Sequence, residues 1–109
     1  METATLLLHL SGGSLLIDTD TLVRVEASSN YCKLIFSDGK TLVTAKLLKW
    51  FEEKLPQPAF VRMHRSHLVN NKFLLPNQYV EKGFILRNGD FIRLSRRRRK
   101  NILHQIHAA

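Results

Sequence analysis

The segment Val61-Arg62-Met63-His64-Arg65-Ser66-His67-Leu68-Val69-Asn70-Asn71 sets four polar residues in a row between apolar anchors. Val61 and Met63 alternate with Arg62, as in a half-buried strand, and Leu68 and Val69 return the chain to a core. The polar stretch between them is a loop held at both ends. It carries a guanidinium, a hydroxyl and two imidazoles. An arginine fork fits phosphate oxygens or the O6/N7 edge of guanine, and a serine hydroxyl can donate to phosphate. Taken singly, His64 or Ser66 reads as a residue that satisfies loop backbone. Arg65, flanked by both, points to recognition of an anion.

A second cationic segment, Ser95-Arg96-Arg97-Arg98-Arg99-Lys100, sets five like charges side by side. They repel one another, so an anionic partner stabilises the run. On a helix, successive residues rotate by about 100°, so two or three of the five can face one ligand while the others are solvated. A third segment, Ser28-Ser29-Asn30-Tyr31, lies between two strand-like runs. Asparagine can pair with adenine N6 and N7, yet Ser-Asn is also ordinary turn chemistry.

The distribution of charge concentrates these features in one half of the chain. Residues 1–61 carry six Lys/Arg and seven Asp/Glu, a net of −1, whereas residues 62–109 carry eleven and two, a net of +9. Arg62, Arg65, Arg87 and Arg93 reinforce the arginine run. A basic half on a neutral half suggests one polyanion-binding surface, for DNA, RNA or an anionic membrane; a solvated basic tail, or a purely electrostatic binder without sequence preference, fits the charge alone nearly as well. Catalysis is not expected. His64 and His67 have no carboxylate near them in sequence, Cys32 sits in an apolar strand, and neither a nucleophile–base pair nor a phosphate-cradling glycine loop is visible. No cofactor or metal is implied.

At 109 residues and 12.6 kDa the chain reads as one domain over residues 1–109. The single cysteine, Cys32, cannot form an internal disulfide, and the thiols or clustered histidines of a structural zinc site are absent. No apolar run approaches the roughly 18 residues of a membrane span. Ala4–Leu10 is too short for a signal peptide, is broken by His9, and follows Glu2 rather than lysines. A cytoplasmic location is expected.

Short strand-like runs must position the loops. Leu6–Leu10 and Leu15–Ile17 flank Gly12-Gly13. Thr21–Ala27 alternates, with Val23 and Val25 expected on one side and Arg24 and Glu26 on the other. Tyr31–Ser37 and Lys40–Thr44 flank Asp38-Gly39, and Phe84–Arg87 and Phe91–Leu94 flank Asn88-Gly89-Asp90; both are hairpin turns with a glycine for positive φ. Thr44 is expected to cap a helix over Ala45–Lys54, with Leu47, Leu48, Phe51 and Leu55 as its apolar stripe and Pro56 as its stop. A second helix is expected from Ser95 towards His107, with Ile102, Leu103 and Ile106 inward. About eight strands and two short helices make a mainly β protein. The helices lie about forty residues apart, which excludes a helix-turn-helix.

Together, Val25-Glu26-Ala27, Asn30-Tyr31, Thr44-Ala45-Lys46-Leu47-Leu48, Phe60 to Asn70 and Leu94-Ser95-Arg96-Arg97 resemble a LytTR DNA-binding domain over roughly residues 15–105. The His-Arg-Ser-x-Leu-Val-Asn stretch and the closing Ser-Arg-Arg are the most specific parts. The resemblance implies an elongated, mainly β fold of packed antiparallel sheets with one or two short helices. It implies loops that enter successive major grooves of double-stranded DNA at direct-repeat promoter sites, where a second copy can sit alongside. By the same resemblance, Arg65 and Arg97 fall on base-reading positions, Asn30 or Tyr31 near a third, and Arg62, His64 and Ser66 on phosphate positions. Lys46 is a further phosphate candidate, and Arg96 and Arg98 belong to the contacting segment. An aliphatic residue is commoner at Cys32, and an aromatic at His67.

The resemblance also implies a bacterial transcriptional regulator, often the output domain of a two-component response regulator. Asp18 and Asp20 lack the α/β surroundings of a phosphoacceptor receiver domain, so the chain reads as a fragment or as a single-domain regulator. The alternative is an RNA-binding or ribosome-associated basic β domain, for which Tyr31, Phe73, Tyr79 and Phe84 would be the stacking aromatics.

Overall fold

The computed structural model describes residues 5–108, the side chains of 76–78 and 105–108 excepted. Its described residues form ten strands and two α-helices. Thr5–Leu10 (β1) and Gly13–Asp18 (β2) make a hairpin by themselves. Leu22–Ser28 (β3), Tyr31–Phe36 (β4) and Thr41–Thr44 (β5) join Phe60–His64 (β6) and His67–Asn70 (β7) in a five-stranded antiparallel sheet. Its order is β5-β4-β3-β7-β6. Leu74–Val80 (β8), Gly83–Leu86 (β9) and Phe91–Arg93 (β10) form a third sheet. Helix α1 spans Leu48–Lys54, and α2 spans Arg99–Ala108.

The five-stranded sheet is the middle layer of two cores. On one side Leu22, Val25, Cys32, Leu34 and Leu68 pack against Leu6, Leu8 and Ile17 of the β1–β2 hairpin and Leu48, Phe51 and Leu55 around α1. On the other side Val23, Val61, Met63 and Val69 meet Leu74, Phe84, Leu86, Ile92 and Leu94 of the third sheet and Ile102 of α2. Phe51 and Phe84 are the largest fully buried side chains, and burying each contributes about 1.5–3 kcal/mol. The result is a slab of 40 × 37 × 24 Å.

Both glycine hairpins form as the sequence implies. Gly39 and Gly89 have φ of 89° and 93°, a region where a side chain is strained. The Phe36 and Leu86 amides close the turns on the Lys40 and Asp90 carbonyls.

Four details differ from the sequence reading. A bulge in β3 between Leu22 and Arg24 breaks the alternation, so Val23 and Val25 enter different cores. Thr44 remains in β5, paired with Cys32, and its hydroxyl accepts the Lys46 amide at 3.2 Å. This turn keeps Ala45–Leu47 out of the helix, which starts at Leu48 with no side-chain cap. Leu47 is consequently 67% exposed, while Leu48, Phe51 and Leu55 are buried. Helix α2 starts at Arg99 because Ser95 caps a preceding turn, its hydroxyl and carbonyl both accepting the Arg98 amide. Of its expected inward residues, Ile102 is buried and Leu103 half-buried; the Ile106 side chain lies outside the described residues. Strand β8 had no clear alternating signature, because Pro76 and Asn77 fall where its pairing with β9 is irregular.

Candidate nucleic-acid interface

Two hairpin tips and one cationic turn meet at one end of the central sheet. Strand β3 turns into β4 through Ser29-Asn30, with Ser28 paired to Tyr31. Ser29 sits at φ 55°, a positive value that two-residue hairpins favour at the first turn position. Strand β6 turns into β7 through Arg65-Ser66, with His64 opposite His67. Because β3 pairs with both β4 and β7, the tips emerge side by side, and the Ala27 amide donates to the Ser66 carbonyl at 2.8 Å. The arginine run arrives at the same end, since the Ser95 amide donates to the Met63 carbonyl at 3.0 Å. Asn30, Tyr31, Arg65, Arg96 and Arg97 are exposed, and Arg98 is half-buried. Lys46 follows β5 from this end; its Nζ lies 5.0 Å from the Trp50 ring centroid, a cation–π arrangement that leaves the charge half-exposed.

Inside the turn, His64 and Ser66 are matched to each other as acceptor and donor. The Ser66 amide, which can only donate, points to His64 Nδ1 at 3.3 Å. That nitrogen is therefore an acceptor, and the ring proton sits on Nε2. The Ser66 hydroxyl, 3.0 Å from the same nitrogen, donates its proton there too. Ser66 thus has lone pairs rather than a proton to offer outward, and His64 Nε2–H is the donor left over.

Arg62 differs most from the sequence reading. Its Nε donates to the His64 carbonyl at 2.8 Å, Nη1 to Glu52 Oε1 at 2.7 Å, and Nη2 to the Arg65 carbonyl. The side chain is only 16% exposed. A guanidinium so engaged braces the turn from below.

A second ionic network lies beside it. Arg24 Nη1 donates to Glu26 at 2.7 Å and Nε to Asp90 at 2.9 Å, which ties the β9–β10 hairpin to β3. The Arg24 hydrogen bond holds the Glu26 carboxyl below its ordinary value against the opposing effect of burial. Burial alone would raise Asp90, but hydrogen bonds from Arg24 and Asn88 outweigh it and hold that carboxyl low. His67 stands 3.9 Å from Glu26 with its Nδ1 buried and without a hydrogen-bond partner. Burial lowers its pKa, the Arg24 and His64 charges act in the same direction, and Glu26 opposes them. Cys32 is 1% exposed, and burial pushes its thiol up, which suits a core residue and not a nucleophile.

Sequence reasoning missed Arg24, Glu26, Glu52 and Asp90 as supports of this end. The Arg24/Glu26 pair at i, i+2 on one strand face was a usable signal. Glu52 and Asp90 gave none, because their partners lie 10 and 66 residues away. Of the aromatics open to base stacking, Phe84 is buried, Phe73 and Tyr79 are half-buried, and Tyr31 is exposed.

The fold and this end of it define a β protein that presents a cationic set of turns on a braced sheet edge. The family model described as LytTr DNA-binding domain matches residues 12–107, and the chain belongs to that family. A similar solved structure is the LytTr DNA-binding domain of a protein described as a methyl-accepting/DNA response regulator from Bacillus cereus. The two share 18% identity with a TM-score of 0.73, covering 99% of this chain and 100% of that one. Comparison with curated proteins gives no match. Among the described residues no helix is long and apolar enough to cross a membrane.

Proposed function

We propose that this DNA-binding domain recognises double-stranded DNA sequence-specifically, its turns entering successive major grooves. The observation that carries the reading is the pair of backbone bonds, Ala27 to Ser66 and Ser95 to Met63, which gather the three turns at one end of the central sheet. Arg65 and Arg97 read base edges, with Asn30 or Tyr31 as a third reader. His64 Nε2–H, Arg96, Arg98 and Lys46 hold phosphates. Arg62 stays behind the turn. Phosphate contacts fix orientation and base contacts supply selectivity. The domain acts in the bacterial cytoplasm as a transcriptional regulator or the output module of a response regulator. It occupies direct repeats as two adjacent copies that need no stable dimer in solution.

Selection from a random duplex pool tests this. The expected product is a site with two short defined blocks spaced by about one helical turn, roughly 10 base pairs. A pool that stays random would overturn sequence-specific recognition, and a bound duplex displaced by equimolar single-stranded RNA would replace the reading with an RNA-binding one.

A further inference from the structure

We infer that Arg62, anchored by Glu52 of α1, is a positioning residue that sets base selectivity by fixing the shape of the Arg65-Ser66 turn. The inference deepens the DNA-binding reading and rests on it. Three acceptors surround one guanidinium: the His64 carbonyl, the Arg65 carbonyl and Glu52 Oε1. Two of them are the backbone carbonyls of the peptides before and after Arg65. A planar fork with donors in fixed directions is the side chain that can hold two carbonyls and a carboxylate at once. Without it, both carbonyls at the tip lose the guanidinium's hydrogen bonds, and the turn has alternatives to its present shape.

Glu52 completes the device. It fixes the guanidinium at 2.7 Å and neutralises it, so the turn is braced without adding net positive charge beneath it. The bulge between Arg62 and His64 lies directly above this clamp, and bulges re-aim the side chains that follow them. Arg65 is the next residue. Its own side chain is exposed, so its aim is set through the backbone that Arg62 holds.

Positioning and phosphate contact predict opposite outcomes. The probes are a duplex selected by this protein from a random pool and its scrambled counterpart, titrated by fluorescence anisotropy at several salt concentrations. The variants are Arg62→Gln, Arg62→Lys and Glu52→Gln. Positioning predicts that all three lower the selected-to-scrambled affinity ratio by about tenfold, within the range of one lost bidentate base contact, while the salt slope stays unchanged. Lysine does not rescue, because a point charge cannot replace the fork. Glu52→Gln is decisive in sign, since deleting an anion near DNA raises affinity for every duplex if charge alone matters. A salt slope smaller by about 0.9 in Arg62→Gln, recovery in Arg62→Lys, or tighter binding of both duplexes by Glu52→Gln overturns the inference.

Amide exchange in the unliganded protein is read separately from DNA. The Ala27 and Ser66 amides, bonded to the Ser66 carbonyl and His64 Nδ1, exchange faster in Arg62→Gln while the β4 and β5 amides do not. If wild-type protein shows no preference between duplexes, the DNA reading fails and exchange alone decides. Unchanged protection of Ala27 and Ser66 then overturns the positioning role.

Discussion

The Ala27 amide donates to the Ser66 carbonyl at 2.8 Å, one step past Glu26 and His67, the last paired residues of β3 and β7. The ladder between these strands therefore continues into the turn that carries Arg65. The Asn30 tip of β3–β4 and the Arg65 tip of β6–β7 inherit one register from a shared strand. A slip by one residue would exchange the faces of β3 and take Val25 out of its core, so the hydrophobic core itself fixes the spacing of the two tips.

That fixed spacing makes Arg65 and Arg97 separable from the rest of the positive charge. Arg65→Ala and Arg97→Ala are each expected to cost about 1–3 kcal/mol on a selected duplex and much less on a scrambled one. Arg96→Ala and Arg98→Ala should weaken both duplexes alike and lower the salt slope by about 1. Anisotropy titrations at two or more salt concentrations separate the two patterns. Equal losses on both duplexes for Arg97→Ala would remove its base-reading role.

Asn70 supports the same sheet from inside. It is buried, and its Nδ2 donates to the Leu22 carbonyl at 2.9 Å and the Thr19 carbonyl at 3.3 Å, while its Oδ1 accepts the Lys72 amide at 3.0 Å. Alanine makes none of these bonds; the Thr19 carbonyl keeps the Leu22 amide, but a buried group left without a partner costs about 1–3 kcal/mol. Asn70→Ala is expected to lower the urea midpoint by an amount equivalent to at least ~2 kcal/mol with m unchanged. A midpoint within error of wild type would show that water or a shifted backbone replaces the side chain.

How much was legible in sequence depended on how local the cause was. Asp38-Gly39 and Asn88-Gly89 state their turns because the glycine φ is a demand of the turn itself. The polar quartet from His64 to His67 marks a loop because apolar residues close on both sides. Val23 and Val25 misled because a one-residue bulge reverses facing without altering composition. Thr44 was read as a helix cap because threonine makes the same side chain-to-amide bond in a turn. The resemblance implied a phosphate contact for Arg62 and nothing in the spacing announced its bond to Glu52, which lies on α1. A pairing across a fold has no trace in the spacing of either residue.

Gly83 shows such a demand from tertiary structure. A Cβ there would lie 2.5 Å from the Ile92 carbonyl oxygen, 2.7 Å from the Phe91 ring and 2.9 Å from Arg93 Cα. Two of these are backbone atoms of β10, which cannot swing away. Gly83→Ala is expected to destabilise by about 1–3 kcal/mol through overpacking. It should also loosen the chain leading from Arg93 into the Ser95–Met63 bond. Thermal unfolding gives the first effect, and faster exchange of the Ser95 amide gives the second. A variant as stable as wild type would show that β10 can shift without cost.

His67 makes stability depend on pH in a defined direction. Its ordinary pKa is 6.5, and burial with the Arg24 charge places the folded value below that. The unfolded chain therefore takes up the proton first as pH falls, so the unfolded state binds more protons and folding weakens on acidification. This loss begins as the pH drops through about 6.5. Glu26 and Asp90 are also lowered in the fold, from 4.5 and 3.8. Their stabilisation is present above those values and is lost as pH falls further, giving a second decline in the same direction. Melting temperatures from pH 8 to 3.5 should show both stages. His67→Gln keeps a polar side chain beside Glu26 without a titrating ring, so it should remove the first stage and leave the second. A wild-type melting temperature that is flat from pH 7.5 to 5.5, or a first stage that survives in His67→Gln, would assign the dependence to another group.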